Sequence, residues 1–262
     1  MMAQLVTQIL RGIERWYSIP LLLLLWQVAV GSGLVESRLL PSLLQVWAVL
    51  VKDTANGVLP YHTAITLGRA ATGFALAAIA GVPFAAAMAR STVIRNLFEP
   101  IFFFGYPVPK IAFFPVFTYI FGIGSPSKVA FAFLECVYPI VVTAYLGFRA
   151  IPQPLIWTAE NMGASPATII RRVVFPAATP GIFTGLRIAL PVSIIVIVLT
   201  EMIGDSKGLG YYIAVSGTRF EYANVYAAIL VIGVCGFVLD RALLLVRDKS
   251  VYWERDEDAL HL

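Results

Sequence analysis

Six ionisable side chains lie within or at the edges of otherwise apolar stretches: Arg69, Lys110, Glu135, Arg187, Glu201 and Asp240. An ion at bilayer depth costs at least ~2.5–3.5 kcal/mol on insertion scales, so such residues persist where they pair, bind or conduct. Glu135 lies about seven residues, roughly 10 Å, into its apolar run. At that depth it either lines a solute path or pairs with Lys110 or Arg69. Arg187 lies about seven residues after Gly181 and faces either a path, where a cation suits an anionic solute, or a neighbouring helix. Pro191, four residues on, loosens that helix. Glu201 and Asp205 approach the far surface, where they are expected to be solvated or to meet a soluble partner. Asp240 and Arg241 sit near the end of the last run, where arginine snorkels to the interface, and take no special role. Among the tyrosines, Tyr106 stands out beside Pro107 and Pro109, whereas Tyr138, Tyr145, Tyr211 and Tyr212 read mainly as interfacial aromatics.

These residues do not assemble a catalyst. The two histidines, His62 and His261, are isolated, and neither an H-E-x-x-H helix nor a G-x-S-x-G turn occurs. Neither Gly122–Lys128 nor Gly204–Lys207 fits the G-x4-G-K-[ST] loop that cradles phosphates. The chain is thus expected to have no catalytic residues, no metal ligands and no bound cofactor, and not to hydrolyse ATP.

The elements that position these charges follow from composition. Of the 262 residues, 59% are apolar and 13% charged, against about 25% charged in soluble domains. The net charge is +4, but the basic residues are scattered between apolar runs, which excludes a nucleic-acid face. A helix needs about 20 residues to cross the hydrocarbon core. Apolar runs at 19–35, 63–89, 98–122, 128–146, 181–203 and 224–246 predict six crossings in one membrane domain over 19–246. A segment over 1–18 precedes it and a tail over 247–262 follows. The first run lacks a clean small-x-small cleavage site and reads as a retained helix, not a signal peptide. An even number of crossings puts both termini on one side. Arg11, Arg15, Arg90, Arg95, Arg149, Arg171, Arg172, Arg247, Lys249 and Arg255 share that side, against Arg38, Lys52, Lys207 and Arg219 opposite, so the termini are expected in the cytoplasm. Cys136 and Cys235 lie in apolar runs and read as small hydrophobes.

Within the runs, Gly73, Ala77, Gly81, Ala85 and Ala89 place a small residue every fourth position, a stripe that admits another helix closely. After Pro41-Ser42, the residues Leu43, Leu44, Val46, Trp47, Leu50 and Val51 have amphipathic spacing over a stretch too short to span, which predicts a helix on the outer surface. Pro107, Pro109 and Pro115 interrupt the third run. They predict either a helix broken beside a cavity or one that starts late, near Ile111, after an interfacial loop from Gly105 to Lys110.

The longest cytoplasmic loop runs from Arg149 to Pro180. Gly163 marks a helix stop, and Ser165-Pro166 reads as an N-cap followed by proline at the first helical position. Two short helices with a sharp bend result, the second expected to end near Phe175 because Pro176 disfavours helix before it. Such a knuckle suits either force transmission from a partner or a plain amphipathic connector.

This loop resembles the E-A-A-x3-G-x9-I-x-L-P signature of binding-protein-dependent ABC importer permeases. The frame falls on Trp157, Thr158, Ala159, Gly163, Val173, Phe175 and Pro176, with tryptophan in place of the glutamate and threonine in place of the first alanine. Glu160 follows one helical turn later. The runs Thr66-Leu67-Gly68-Arg69, Gly122-Ile123-Gly124, Leu146-Gly147-Phe148-Arg149 and Glu201-Met202-Ile203 with Gly208-Leu209-Gly210 are similar to the nitrate, sulfonate, taurine and bicarbonate branch. The resemblance covers about residues 39–247. It implies an all-α membrane protein with six transmembrane helices of the type I importer fold, cytoplasmic termini, a short periplasmic interfacial helix and a cytoplasmic coupling helix. It further implies a multi-pass subunit of the bacterial inner membrane, paired with a second copy. A cytoplasmic ATPase dimer supplies ATP and magnesium chemistry, and a periplasmic or lipid-anchored binding protein delivers solute. Carried over by position, coupling falls on Trp157, Thr158, Ala159, Glu160, Gly163, Ala164, Ser165, Pro166 and Pro176. The solute path is assigned to Tyr106, Lys110, Glu135 and Arg187. The expected solute is a small anion; a neutral or cationic thiamine precursor is the alternative within the family, and an ion-gradient transporter the alternative outside it.

Overall fold

The structure is a computed structural model that describes residues 17–33, 35–36, 39–105 and 108–252. Most of the segment over 1–18 and of the tail over 247–262 lies outside the described residues, as do Tyr106 and Pro107. Every regular element described is helical. The chain divides into two packing units, one from Met1–Tyr61 with Tyr212–Val231 and the other from His62–Tyr211 with Ile232–Leu262.

In the first unit, α1 (Ser18–Gly31) is followed by α2 (Leu43–Ala55). The start of α2 is locked by a capping box, in which the Ser42 hydroxyl accepts from the Gln45 amide and the Gln45 side chain accepts from the Ser42 amide. As the spacing predicts, α2 is amphipathic: it buries Val46 and leaves Leu44, Trp47 and Val51 exposed, an apolar face suited to a membrane surface. The Trp26 indole donates to the Pro41 carbonyl at 2.9 Å and packs edge-on against Tyr226. The Tyr212 hydroxyl donates to Asp53 at 2.6 Å.

Among the described residues, four helices are long and apolar enough to cross a membrane: Val58–Arg90, Ser125–Arg149, Pro166–Gly204 and Tyr222–Ser250. We label the first two α3 and α6 and the last α11. Two of the six expected runs are shorter as helices. The first is α1, 14 residues and roughly 21 Å long. The third is split: α4 (Thr92–Gly105) stops, a tight turn forms at Lys110–Phe113, and α5 (Phe114–Phe121) follows. Pro109 caps that turn and Pro115 opens α5, positions where a missing amide costs nothing.

The second unit is organised around α6. The small-residue stripe of α3 lies against it, with Ala77 and Ala85 wholly buried; a side chain at Gly73 would meet Ala132, and one at Gly81 would meet Ile140 and Val141. On its other side α6 packs along the fifth apolar run. There Gly147 and Gly181 cross backbone to backbone, and a methyl on Gly147 would lie 3.1 Å from the Gly181 Cα.

One expectation fails here. The helix that begins at Pro166 does not end near Phe175. A first turn, α8 (Pro166–Ile169), passes into a wide turn over Ile170–Val174 and then into α9 (Phe175–Gly204), and the three together form one continuous helix of 39 residues from Pro166 to Gly204. The Phe175 amide reaches back five residues to the Ile170 carbonyl. That wider register moves the preceding carbonyls out of the α-helical positions where Pro176, without an amide and with a bulky ring, would break the helix.

Valine at Gly147 should overpack this crossing, costing about 1–3 kcal/mol and lowering the thermal unfolding midpoint in detergent. Gly68→Ala, whose methyl meets nothing within 4 Å, should leave that midpoint unchanged or raise it slightly.

Candidate functional site

Two regions of the second unit bring the singled-out residues together, a buried ionic cluster at one end of α9 and the knuckle at the other. Between them lie two ion pairs.

In the cluster, the Arg69 guanidinium on α3 donates from Nη1 to Glu201 Oε1 at 2.7 Å and lies 2.7 Å from Asp205 Oδ2. Lys128, near the start of α6, approaches the same Asp205 oxygen at 3.1 Å. All four side chains are at most 5% exposed. Glu201 Oε2 accepts from the Thr66 hydroxyl and the Gly210 amide, Thr66 in turn accepts from the Leu209 amide, and the His62 ring accepts from the Gly208 amide. Arg69 Nε donates to the Ser125 hydroxyl at 3.0 Å. Two cations against two carboxylates leave the cluster neutral, which burial requires. Burial works against the ionised Asp205, but the Ser206 amide, the Lys128 ammonium and the Arg69 guanidinium outweigh it and hold its carboxyl below the usual range. Because this folded value is depressed, its stabilisation is present above the ordinary carboxylate range and is lost as pH falls through the lowered value.

This corrects the sequence reading of Glu201 and Asp205 as solvated surface carboxylates. They sit beneath the turn that joins α9 to α10 (Leu209–Thr218), and the turn amides at Gly208, Leu209 and Gly210 fold back over them. Lys128 was missed altogether. The available signal was sign: Arg69 and Lys128 are unmatched cations in apolar runs, and Glu201 and Asp205 the acids at a matching depth.

The two intermediate pairs answer questions the spacing left open. Lys110 Nζ lies 3.7 Å from Glu135 and 4.6 Å from the centre of the Tyr138 ring, and both ionic side chains keep some exposure, 14% and 17%. Glu135 thus pairs with Lys110, not with Arg69. Arg187 donates from Nε to Asp240 at 3.0 Å while remaining 54% exposed. Asp240, to which no role was given, is its counter-ion. Tyr106 lies outside the described residues.

The knuckle is built from α7 (Gln153–Asn161) and the start of the long helix. After the Met162 cap, Gly163 takes φ +76°. Its amide donates to Glu160 and the Ala164 amide to Ala159, closing the paired bonds of a Schellman stop. Ser165 then caps the next helix by accepting from the Thr168 amide, and Pro166 occupies the first turn. Trp157 and Met162 are 58% and 82% exposed, Ala159 is half-buried, Thr158 and Glu160 share its helix, Ala164 lies in the bend, and Pro176 sits in the first turn of α9, beyond the wide turn.

Residues 73–249 match the family described as binding-protein-dependent transport system inner membrane component. The chain belongs to this family. It is a permease subunit of an ATP-binding-cassette importer, a multi-pass protein of the inner membrane and not the ATPase. The permease is 30% identical to the taurine transport system permease protein TauC of Escherichia coli, over 90% of this chain and 88% of that one. It is 27% identical to the nitrate import permease protein NrtB of Leptolyngbya laminosa, over 92% and 88%. Its fold is similar to a chain from the MetNI methionine ABC transporter in an inward-facing conformation, with a TM-score of 0.62 at 18% identity, covering 71% of this chain and 93% of that one.

Removing one partner of the buried cluster should expose the cost of the charge left behind. Arg69→Met is expected to lose about 3–5 kcal/mol, measured as a lowered unfolding midpoint. The double variant Arg69→Met with Glu201→Met should recover much of that loss.

Proposed function

We propose that this permease carries a small oxoanion of the sulfonate or nitrate class across six membrane crossings, with both termini cytoplasmic, and that a separate ATPase drives it through the 149–180 loop. The observation that carries the coupling part is the unbroken helix from Pro166 to Gly204. Its 39 residues span roughly 58 Å, about twice the ~30 Å hydrocarbon core. Nearly half of it therefore extends beyond the hydrocarbon core, with the knuckle at one end and the ionic cluster at the other. A push on the knuckle passes along this rod without a loop to absorb it.

The exposed apolar surface of Leu155, Trp157 and Met162 supports docking against a protein partner. Trp157, standing where the family signature has glutamate, is suited to anchor it by burial instead of charge. Thr158, Ala159, Glu160, Gly163, Ala164, Ser165, Pro166 and Pro176 shape that surface and its support. ATP and magnesium belong to the partner ATPase, and the permease itself holds no cofactor. A second permease copy and a solute-binding protein, periplasmic or lipid-anchored, complete the importer. Arg90, Arg149, Arg171, Arg172, Arg247 and Lys249 support the cytoplasmic placement of the knuckle side.

The solute class is supported by the named cargo of the taurine and nitrate relatives and by Lys110 and Arg187, cations whose counter-ions leave them partly accessible. Glu135 and Asp240 tune those cations, and Tyr106 neighbours the broken third run.

The permease should co-purify with an ATPase, and vesicles holding the complex should take up solute only with ATP inside and binding protein outside. Uptake by the purified permease alone would overturn the proposal. Gly163→Pro, which forbids the positive φ and the Schellman stop, should abolish uptake while leaving the chain inserted and folded. Glu135→Gln or Arg187→Gln should change solute preference or the stimulation of ATP hydrolysis by loaded binding protein. If both quantities are unchanged, these residues return to a structural role.

A further inference from the structure

A cavity of about 540 Å³ lies beneath the knuckle, walled by the ends of α3 and α6, by α7 and by the wide turn of the long helix. Two features set its chemistry. Arg90 and Arg149, the last residues of α3 and α6, stand at its edge, both exposed, and the structure gives neither an ion-pair partner among the described residues. Its interior is apolar, formed by Phe148, Ile156, Ile170 and Val174. Each helix C-terminus contributes only about half a negative charge, so the two guanidiniums outweigh the two helix ends and leave a net positive charge suited to an anion. The volume lies in the range of small-molecule sites, about 300–1,000 Å³. An occupant must therefore be anionic at one end and apolar at the other, and must reach the cavity at the level where two apolar helices end.

A phospholipid meets all three conditions, because basic pockets between helix ends on the cytoplasmic side suit anionic headgroups. We propose that this cavity holds an anionic phospholipid of the cytoplasmic leaflet, its phosphate between Arg90 and Arg149 and the top of an acyl chain against Phe148, Ile170 and Val174. The site rests on the cytoplasmic placement of the knuckle proposed above. Because α7 and the wide turn form two of its walls, the lipid braces the knuckle against the helix bundle. Without it, motion of the knuckle is taken up by collapse into the cavity instead of passing into the long helix. The lipid is thus a requirement for coupling.

The test uses the permease–ATPase complex in nanodiscs of phosphatidylcholine with or without phosphatidylglycerol, reading retained lipid by native mass spectrometry and the ATP hydrolysis stimulated by loaded binding protein. The complex should retain about one phosphatidylglycerol per permease copy, and stimulation should depend on it. Each arginine near a membrane surface is worth about fivefold, so Arg90→Gln with Arg149→Gln should cut the preference for phosphatidylglycerol by about 25-fold. Ala86→Phe, which fills the cavity from α3 while keeping both charges, should displace the lipid and lower stimulation equally. Stimulation that is the same with and without phosphatidylglycerol, or retention unchanged in both variants, would overturn the lipid site. Restoration in phosphatidylcholine by soluble glycerol phosphate, with Ala86→Phe without effect, would also overturn it in favour of a free anion. Neither result touches the importer reading, which fails separately if no nanodisc shows hydrolysis that responds to the binding protein.

Discussion

The contact between Arg69 and Glu201, 2.7 Å long and closed to solvent, is the constraint on which the rest of this permease turns. It ties one end of the long helix to α3, and through Asp205 and Lys128 to the start of α6 as well. In a low-dielectric interior, charges of this kind must be matched nearly one for one. Here the matching is carried out by three helices and one turn. The Gly208-to-Gly210 amides complete it, so the chain after the long helix is held back over its end instead of running free.

The opposite end of the long helix carries the knuckle. The Gly147 and Gly181 crossing brings α6 and the long helix together at backbone distance, close to where the long helix leaves the apolar run. Beyond it come Pro176, the wide turn and the knuckle. Close packing between small residues is the main source of attraction between helices in lipid, and it leaves the pair no slack. The wide turn at Ile170–Val174 lies on the knuckle side of the crossing, and Pro180 and Pro191 are accommodated within the helix beyond it.

The charges between the two ends are less tightly matched. Lys110 with Glu135 at 3.7 Å and Arg187 with Asp240 at 3.0 Å are pairs of opposite sign that keep partial exposure, unlike the sealed cluster. This gradation separates the two kinds of intramembrane charge. Sealed charge holds helices in place, while accessible charge remains able to meet an ion.

Much of the fold was legible in the residues. Local chemistry determined the stop at Gly163, the Ser165-Pro166 start, the amphipathic α2 and the small-residue face of α3, because each depends on neighbours within a turn or two. The glycine and proline of the knuckle suggested the family, and the match over residues 73–249 shows it. Only the tertiary structure decided which charges meet. Arg69 and Glu201 are 132 residues apart, and a period or a hydropathy run carries no information about pairing over that distance. It also decided that Pro176 lies inside a continuous helix, since a single wide turn changes the register that makes proline a breaker. Glu201 and Asp205 looked like surface acids because they sit at the end of an apolar run. They are buried because the chain that follows folds back over them, and that return depends on partners contributed by α3 and α6.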